Sequence, residues 1–340
     1  MSSHIKHLLH NWYPNKDQYQ WVLGTIYQTQ GSSYRKAGAH MLFNTCGEKF
    51  GLLSGGCLEA DLQLKARQVL FENRALTVKY DTSDEDDINF SLGLGCGGVV
   101  DILLQPITAA NNYLHLTKVY QQLEMQNLVE YRQKIPQEKW GDIENQFVEI
   151  QKPKLLKNKS EIKNINNEQW LVSTLSPTPH LLIIGGGIDV KPLVTFAYHL
   201  GWETSLVDSR PANARREDFP LATRIRKNKL SQLTNETWMQ DINAAIVISH
   251  NIEIDADALL TLAKQQLSYC ALLGPLHRQE QILNKAKLTK EALAFKLAGP
   301  AGLNIGAELP ESIALSIIAE CHAALYKGSA KSLSNVLSSN

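Results

Sequence analysis

The sequence predicts an α/β chain of two domains, an α+β domain followed by a doubly wound parallel sheet. Three observations predict it. Residues 180–326 alternate short apolar runs with amphipathic helical stretches, the pattern of parallel strands covered by helices on both faces. Residues 21–104 hold several short strand-like runs around one helical stretch. Between these regions lies Ser176-Pro177-Thr178-Pro179, where two prolines stiffen a short connection, so the domains are expected at 1–176 and 177–340. A chain of 340 residues is long enough for two full cores.

The first domain reads as a strand over 21–28 that ends in the polar loop 30–38. Strands near 40–43 and 50–53 flank a turn at 44–48 and lead into Ser54-Gly55-Gly56-Cys57-Leu58-Glu59. Leu58, Leu62, Ala66, Val69 and Leu70 then recur at helical spacing. Cys57 is therefore expected at a helix N-terminus, where the macrodipole favours a thiolate. A strand near 76–80 and an acidic loop at 81–87 precede a second cysteine turn, Gly93-Leu94-Gly95-Cys96-Gly97-Gly98, which feeds a strand at 99–104. A helix over 113–128 and a β segment over 145–150 complete the domain. Residues 152–167, rich in Lys and Asn with weak periodicity, read as an exposed excursion.

In the second domain a strand at 180–184 enters Gly185-Gly186-Gly187. Val190, Leu193, Val194, Ala197 and Leu200 mark one face of the next helix, Gly201 caps it, and a strand follows at 204–207. Apolar runs at 244–248 and 268–273 end at Ser249-His250 and Gly274-Pro275, with helices expected over 255–266, 278–287 and 311–326. A Gly185-x-Gly187 loop that follows a strand and opens a helix is the Rossmann-like context. Asp208 ends the second strand, where an acid meets the ribose of a nucleotide such as NAD(P) or FAD. The third glycine position is Val190, so the crevice reads either as a nucleotide site or as a purely structural βαβ unit.

Thirty-four basic and 34 acidic side chains cancel, so no overall field draws in nucleic acid or an anionic membrane. No apolar stretch reaches the roughly 20 residues of a membrane span, and five cysteines form no dense disulfide framework, which points to the cytoplasm. Glycines around Cys57 and Cys96 let backbone N–H groups approach a ligand, whereas a buried structural cysteine has no need of them. The competing account is tight packing. With no CxxC spacing and no nearby His cluster, zinc is poorly supported, and a soft or sulfur-rich ligand suits the pair better. A reversible thiol pair is a third account, requiring Cα atoms about 4.4–6.8 Å apart. Cys46, Cys270 and Cys321 read as ordinary. Ser32, Ser33 and Arg35, with Lys36, form either an anion-binding cluster or a solvated loop. His250 stands past a strand's C-terminal end, the edge where α/β sheets place ligands. The glycine-rich stretch 298–306 either lines the crevice or only reverses the chain.

These motifs in this order resemble the XdhC/CoxI family, accessory proteins for maturation of xanthine dehydrogenase and related molybdenum hydroxylases. Gly31-Ser32-Ser33 through Arg35 and Gly38, the Gly55-Gly56-Cys57-Leu58-Glu59 turn and Gly95-Cys96-Gly97-Gly98 resemble its N-terminal domain. Ile184 to Gly187, Val207-Asp208-Ser209-Arg210-Pro211, Ser249-His250-Asn251, Leu273-Gly274-Pro275 and Leu297 to Ala307 resemble its Rossmann-like C-terminal domain. The resemblance implies a chaperone that binds molybdenum cofactor, a molybdate held by the dithiolene of a pterin phosphate. It would protect the cofactor, assist its sulfuration with a cysteine desulfurase and insert it into xanthine dehydrogenase or a related hydroxylase. By carry-over, Cys57 and Cys96 lie nearest the molybdenum, and the flanking glycine amides suit the phosphate. Two positions depart from the family pattern: Asn251 stands where Asp is frequent, and the segment after Leu273 keeps Arg278 where more arginines are usual.

The accessory-factor reading makes the protein a binder rather than an enzyme. Its competitor is an NAD(P)- or FAD-dependent oxidoreductase built on Gly185, Gly187 and Asp208, for which His250 is the only acid or base at hand. A homodimer through a glycine-rich face remains open.

Overall fold

The computed structural model describes residues 3–56, 58–81, 98–150, 158–334 and 336–337. Cys57, the acidic run at 84–87, and Gly95, Cys96 and Gly97 lie outside the described residues, as does 151–157. Residues 1–178 and 179–340 form two compact units.

In the first unit the elements are α1 (Ile5–Trp12), β1 (Trp21–Gln30), β2 (His40–Asn44), β3 (Lys49–Gly51), α2 (Glu59–Glu72), β4 (Ala75–Asp81) and β5 (Val99–Ile107). There follow α3 (Leu116–Glu124), β6 (Leu128–Ile135), β7 (Trp140–Gly141), β8 (Asn145–Ile150), β9 (Lys159–Ile165) and β10 (Glu168–Leu175). Two antiparallel sheets result, with strand orders β3-β2-β1-β5-β4-β7 and β8-β6-β10-β9. Alternation along β1 and β5 explains why the larger sheet can be covered twice. Val22, Ile26, Ile102 and Leu104 pack on Leu62, Ala66 and Val69 of α2. Trp21, Leu23 and Ile107 point the other way, into a core with α1, α3, Val129 and Tyr131.

A polar ladder crosses between the two sheets. Gln133 Nε2 donates to Thr25 Oγ1 (3.1 Å) and Gln105 Oε1 (3.0 Å), Gln105 Nε2 donates to Asn145 Oδ1 (2.8 Å), and Asn145 Nδ2 donates to the Tyr131 hydroxyl (2.6 Å). Because such buried amides cost free energy unless bonded, the ladder fixes the register of the sheets as well as holding them together.

Two expectations change here. The helix expected over 113–128 begins only at Leu116, because Tyr113, Leu114 and His115 are left-handed (φ 51°, 53° and 60°). It ends at Glu124, before Gln126 (φ 60°), and Leu128 already starts β6. Within 152–167, Lys159–Ile165 forms the edge strand β9 against β10, and its largely exposed side chains leave little periodicity to read. Helix α1 and strands β6 and β10 were not anticipated.

The second unit contains β11 (His180–Ile184), α4 (Lys191–His199), β12 (Glu203–Val207), β13 (Arg224–Arg226), β14 (Ala244–Val247) and α5 (Ile252–Leu262). It continues with β15 (Tyr269–Leu272), α6 (Leu276–Ala286), β16 (Leu297–Ala298) and α7 (Pro310–Tyr326). All strands are parallel, in the order β13-β12-β11-β14-β15-β16. This is the doubly wound order, with its switch point between β11 and β14. Leu182, Ile184, Val247 and Leu272 pack on α5 and α6 through Leu259, Leu262 and Ile282. Each such fully buried aliphatic side chain contributes roughly 1.5–3 kcal/mol relative to exposure.

Candidate functional site

Antiparallel pairing in the first unit collects several loops at one end of the larger sheet. Gln30 at the end of β1 pairs with Val99 at the start of β5, and Val99 also pairs with Asp81 at the end of β4. Gly51, the end of β3, pairs with Met41 near the start of β2. Loop 31–39, turn 52–56 and the start of β5, three residues past Cys96, therefore emerge at the same sheet end.

Close contacts there explain the residue types. A Cβ on Gly98 would lie 2.0 Å from the Ser32 carbonyl oxygen, so only glycine lets this strand start lie against the Ser32–Ser33 loop. Gly56 has φ 114°, and Cβ atoms on Gly55 and Gly56 would meet nothing within 4 Å. Those two glycines thus border open space.

Ser54 and Glu59 hold this turn in place. The Ser54 hydroxyl donates to Glu59 Oε2 (2.5 Å) and accepts from the backbone N–H groups of Gly56 (3.3 Å) and Leu58 (3.1 Å), while Ser54 N–H donates to Glu59 Oε1 (3.0 Å). Ser54 and Glu59 are both buried, so the chain on either side of Cys57 enters α2 along a fixed path. Across the same end, Lys36 Nζ donates to Ser33 Oγ (3.4 Å). Arg35 is half-buried and forms no hydrogen bond or ion pair with a described residue. Its charge is felt by His40, which is 4 % exposed; burial first, then Arg35, pulls the imidazole down to about 4, against a hydrogen-bonding pull from Gln133.

The residues predicted in the second unit gather at the C-terminal edge of its sheet. Gly185 has φ 116°, and a Cβ there would lie 2.5 Å from the Ile248 carbonyl oxygen; one on Gly186 would lie 2.5 Å from Ala214 Cβ. Gly187 precedes the first turn. Asp208 is fully buried and accepts five hydrogen bonds. They come from Gly186 N–H (2.7 Å), Arg210 N–H (2.9 Å), Arg210 Nε (2.9 Å) and Nη2 (2.7 Å), and Asn213 Nδ2 (2.9 Å).

A carboxylate offers about four lone-pair sites, so no acceptor is left on Asp208 for a ribose hydroxyl. Its expected role gives way to that of a brace for the glycine loop. Burial alone would raise its pKa, but the Arg210, Asn213 and backbone hydrogen bonds bring it down to about 2. His250, in the left-handed region at φ 59°, places Nε2 2.9 Å from Asp189 Oδ2 and so bridges the switch point between β14 and β11.

Neighbouring polar groups are also committed. Asn251 caps α5 by accepting from Glu253 and Ile254 N–H, a task that Asp performs equally well. Arg278 Nη2 is held by Asp255 (2.7 Å), which also accepts from Ser249 N–H. The 298–306 stretch is stapled to α7 by Gly302 N–H on Glu320 (2.8 Å) and Ser316 Oγ on the Leu303 carbonyl (2.5 Å), so it works as a chain reversal.

The remaining cysteines behave as ordinary ones: Cys270 and Cys321 are buried, and burial pushes the Cys270 thiol up to about 12. Among the described residues, no group of three or more His, Cys, Asp or Glu side chains is arranged to hold a metal ion, and no helix is long and apolar enough to cross a membrane.

Comparison with known proteins matches residues 16–81 to the XdhC and CoxI family and residues 181–321 to the XdhC Rossmann domain. A protein of Bacillus subtilis named as a probable xanthine dehydrogenase component is 31 % identical over 317 residues, covering 90 % of this chain and 93 % of the relative. The molybdenum cofactor insertion chaperone PaoD of Escherichia coli is 22 % identical over 302 residues, covering 88 % and 81 %. A crystal structure described as a xanthine dehydrogenase from Bacillus halodurans superposes with a TM-score of 0.79 at 32 % identity over 98 % of both chains. With matches spanning both units and nearly the full length of these relatives, the chain belongs to the XdhC/CoxI family.

Proposed function

We propose that this protein is a molybdenum cofactor chaperone, which binds the cofactor in its first unit, assists its sulfuration and delivers it to xanthine dehydrogenase or a related molybdenum hydroxylase. The observation that carries the reading is the sheet end of the first unit, where an unpaired half-buried Arg35, the Ser32 and Ser33 hydroxyls, the open Gly55-Gly56 turn and Gly98 converge. Cationic and hydroxyl groups suit the phosphate of such a cofactor, and two thiols reached through these turns, Cys57 and Cys96, suit its molybdenum–sulfur centre. Gly95 and Gly97 would let the chain pass close to it. A cysteine desulfurase would supply the sulfur, and a second copy of the chain is a further partner in this reading. The relative named as an insertion chaperone supports the same role.

The oxidoreductase alternative gains no support from the second unit, where Asp208 and Gly186 bond to each other and the loop is crowded by Ala214. The test is metal and pterin analysis of protein purified without oxygen from a cofactor-producing host. Molybdenum by mass spectrometry and oxidised-pterin fluorescence should be near-stoichiometric in the wild type. Both should fall at least about tenfold in Cys57→Ala and Cys96→Ala, with circular dichroism unchanged. Wild-type pterin content in both variants would overturn the proposal.

A further inference from the structure

A cleft of about 630 Å³ opens beside strand β4 of the first unit, and no residue of it figures in the site described above. Asp101 of β5 sits in its lining, only 8 % exposed. In the antiparallel register its neighbours are Gln28 on β1 and Lys79 on β4. The register of β1 against β5 slips between Ile26 and Gln28, a bulge that turns Tyr27 into the same lining.

Asp101 makes no hydrogen bond and no ion pair with any described residue, although Lys79 attracts it and Asp81 repels it. Burial therefore raises its pKa, with Lys79 opposing and Asp81 adding. Such a group is rare in a folded protein, because a buried carboxylate without donors costs more than almost any other side chain. Lys65, Lys79 and Lys139 bring cationic groups to the same lining. Lys65 is already engaged by Asp61 (2.8 Å), which leaves Lys79 and Lys139 for an anion.

We infer that this cleft binds the 2-amino-4-oxopyrimidine edge of a pterin-type heterocycle on Asp101, with Lys79 and Lys139 facing the ligand's anionic group. Adjacent N–H and NH₂ donors on that edge match the two oxygens of a carboxylate as a bidentate pair. Aromatic Tyr27 offers a wall for the flat ring. The choice of ligand class rests on the cofactor reading; the unsatisfied acceptor does not. Asp101 stands two residues in from the sheet end where the cysteine segments emerge.

The experiment titrates the full-length protein with two fluorescent probes, 6-carboxypterin and 6-carboxylumazine. In lumazine the 2-amino donor is replaced by a carbonyl oxygen, which would face the carboxylate. Wild-type protein should bind the pterin at least about tenfold more tightly than the lumazine, the cost of one unmade charge-assisted bond. Asp101→Asn should erase that preference, while Lys79→Ala combined with Lys139→Ala should weaken both probes by a similar factor and flatten their salt dependence.

Equal affinity of the wild type for the two probes overturns the inference without recourse to any variant, so a misfolded Asp101→Asn cannot shelter it. If the probes bind alike while purified protein still carries molybdenum and pterin, the cleft inference fails and the chaperone reading stands. If the pterin preference holds but Cys57→Ala and Cys96→Ala keep wild-type cofactor content, the chaperone reading fails and the cleft inference stands.

Discussion

His40 shows how a single side chain in the first unit is tuned by its surroundings. It lies directly opposite Thr25 in the β1–β2 pair, next to the Gln133 ladder, with the Arg35 charge nearby. The folded protein therefore holds it neutral, with its pKa pulled from 6.5 to about 4. An unfolded chain takes up a proton below about 6.5, so the stability tied to His40 is fully present above that pH and is lost as pH falls toward 4. The expected slope is about 1.4 kcal/mol per pH unit, or roughly 3 kcal/mol across the window. Urea unfolding of the wild type and of His40→Gln between pH 7 and pH 4 checks this. The variant should lose less stability over the window, and parallel curves for the two proteins would show that His40 carries a proton in the folded state. Asp101 is the contrasting residue. Nothing in the sequence reading singled it out, yet a signal was there: Val99-Val100-Asp101-Ile102-Leu103-Leu104 sets an acid inside an otherwise apolar strand. Asp208 was singled out by spacing, but spacing is blind to Arg210 and Asn213 folding back onto it.

Among the elements, the turn into α2 carries the most function for its length. Helix α2 has no side-chain hydrogen bond from its N-cap residue Leu58; the Ser54 hydroxyl reaches the Leu58 N–H from four residues upstream instead. Glu59, in the first helical turn, returns to both the hydroxyl and the N–H of Ser54. Ser54→Ala should therefore cost about 1–3 kcal/mol, since it strips a buried carboxylate of its hydroxyl donor and frees two N–H groups. Chemical denaturation measures that loss; a cost near zero would mean that water replaces the hydroxyl and the turn is not fixed by it. Helices and strands with strong periodicity were legible in the sequence, above all α2 and the alternation from β11 to α7. The first unit was less so. Helix α3 is shortened by left-handed residues that carry ordinary side chains, and edge strand β9 has too few buried positions to show a period. Bulge-driven placement of Tyr27 depends on the register with β5, which no local pattern encodes.

At the scale of the whole molecule, the two units divide their polar chemistry differently. In residues 179–340 the glycine loop, Asp208, Arg278 and the 298–306 stretch satisfy one another. In residues 1–178, Arg35 and Asp101 stay without partners among the described residues. Unsatisfied groups of this kind lower stability and are kept where a ligand supplies the missing partner. A ligand bound only to the folded form stabilises it by about 2.7 kcal/mol at a hundredfold excess over its Kd, worth roughly 5–10 °C in the transition of a unit this size. Each unit has its own core, so scanning calorimetry should resolve two transitions. His40→Gln at pH 5 identifies that of residues 1–178. Asp208→Asn, which removes a braced carboxylate, lowers the other by a few kcal/mol. Added 6-carboxypterin should raise the His40-sensitive transition by that amount and leave the Asp208-sensitive one in place. A rise confined to the Asp208-sensitive transition would move the ligand to the parallel sheet. A rise in both together would mean that the units unfold as one, and that the unpaired groups of the first are balanced across the whole chain.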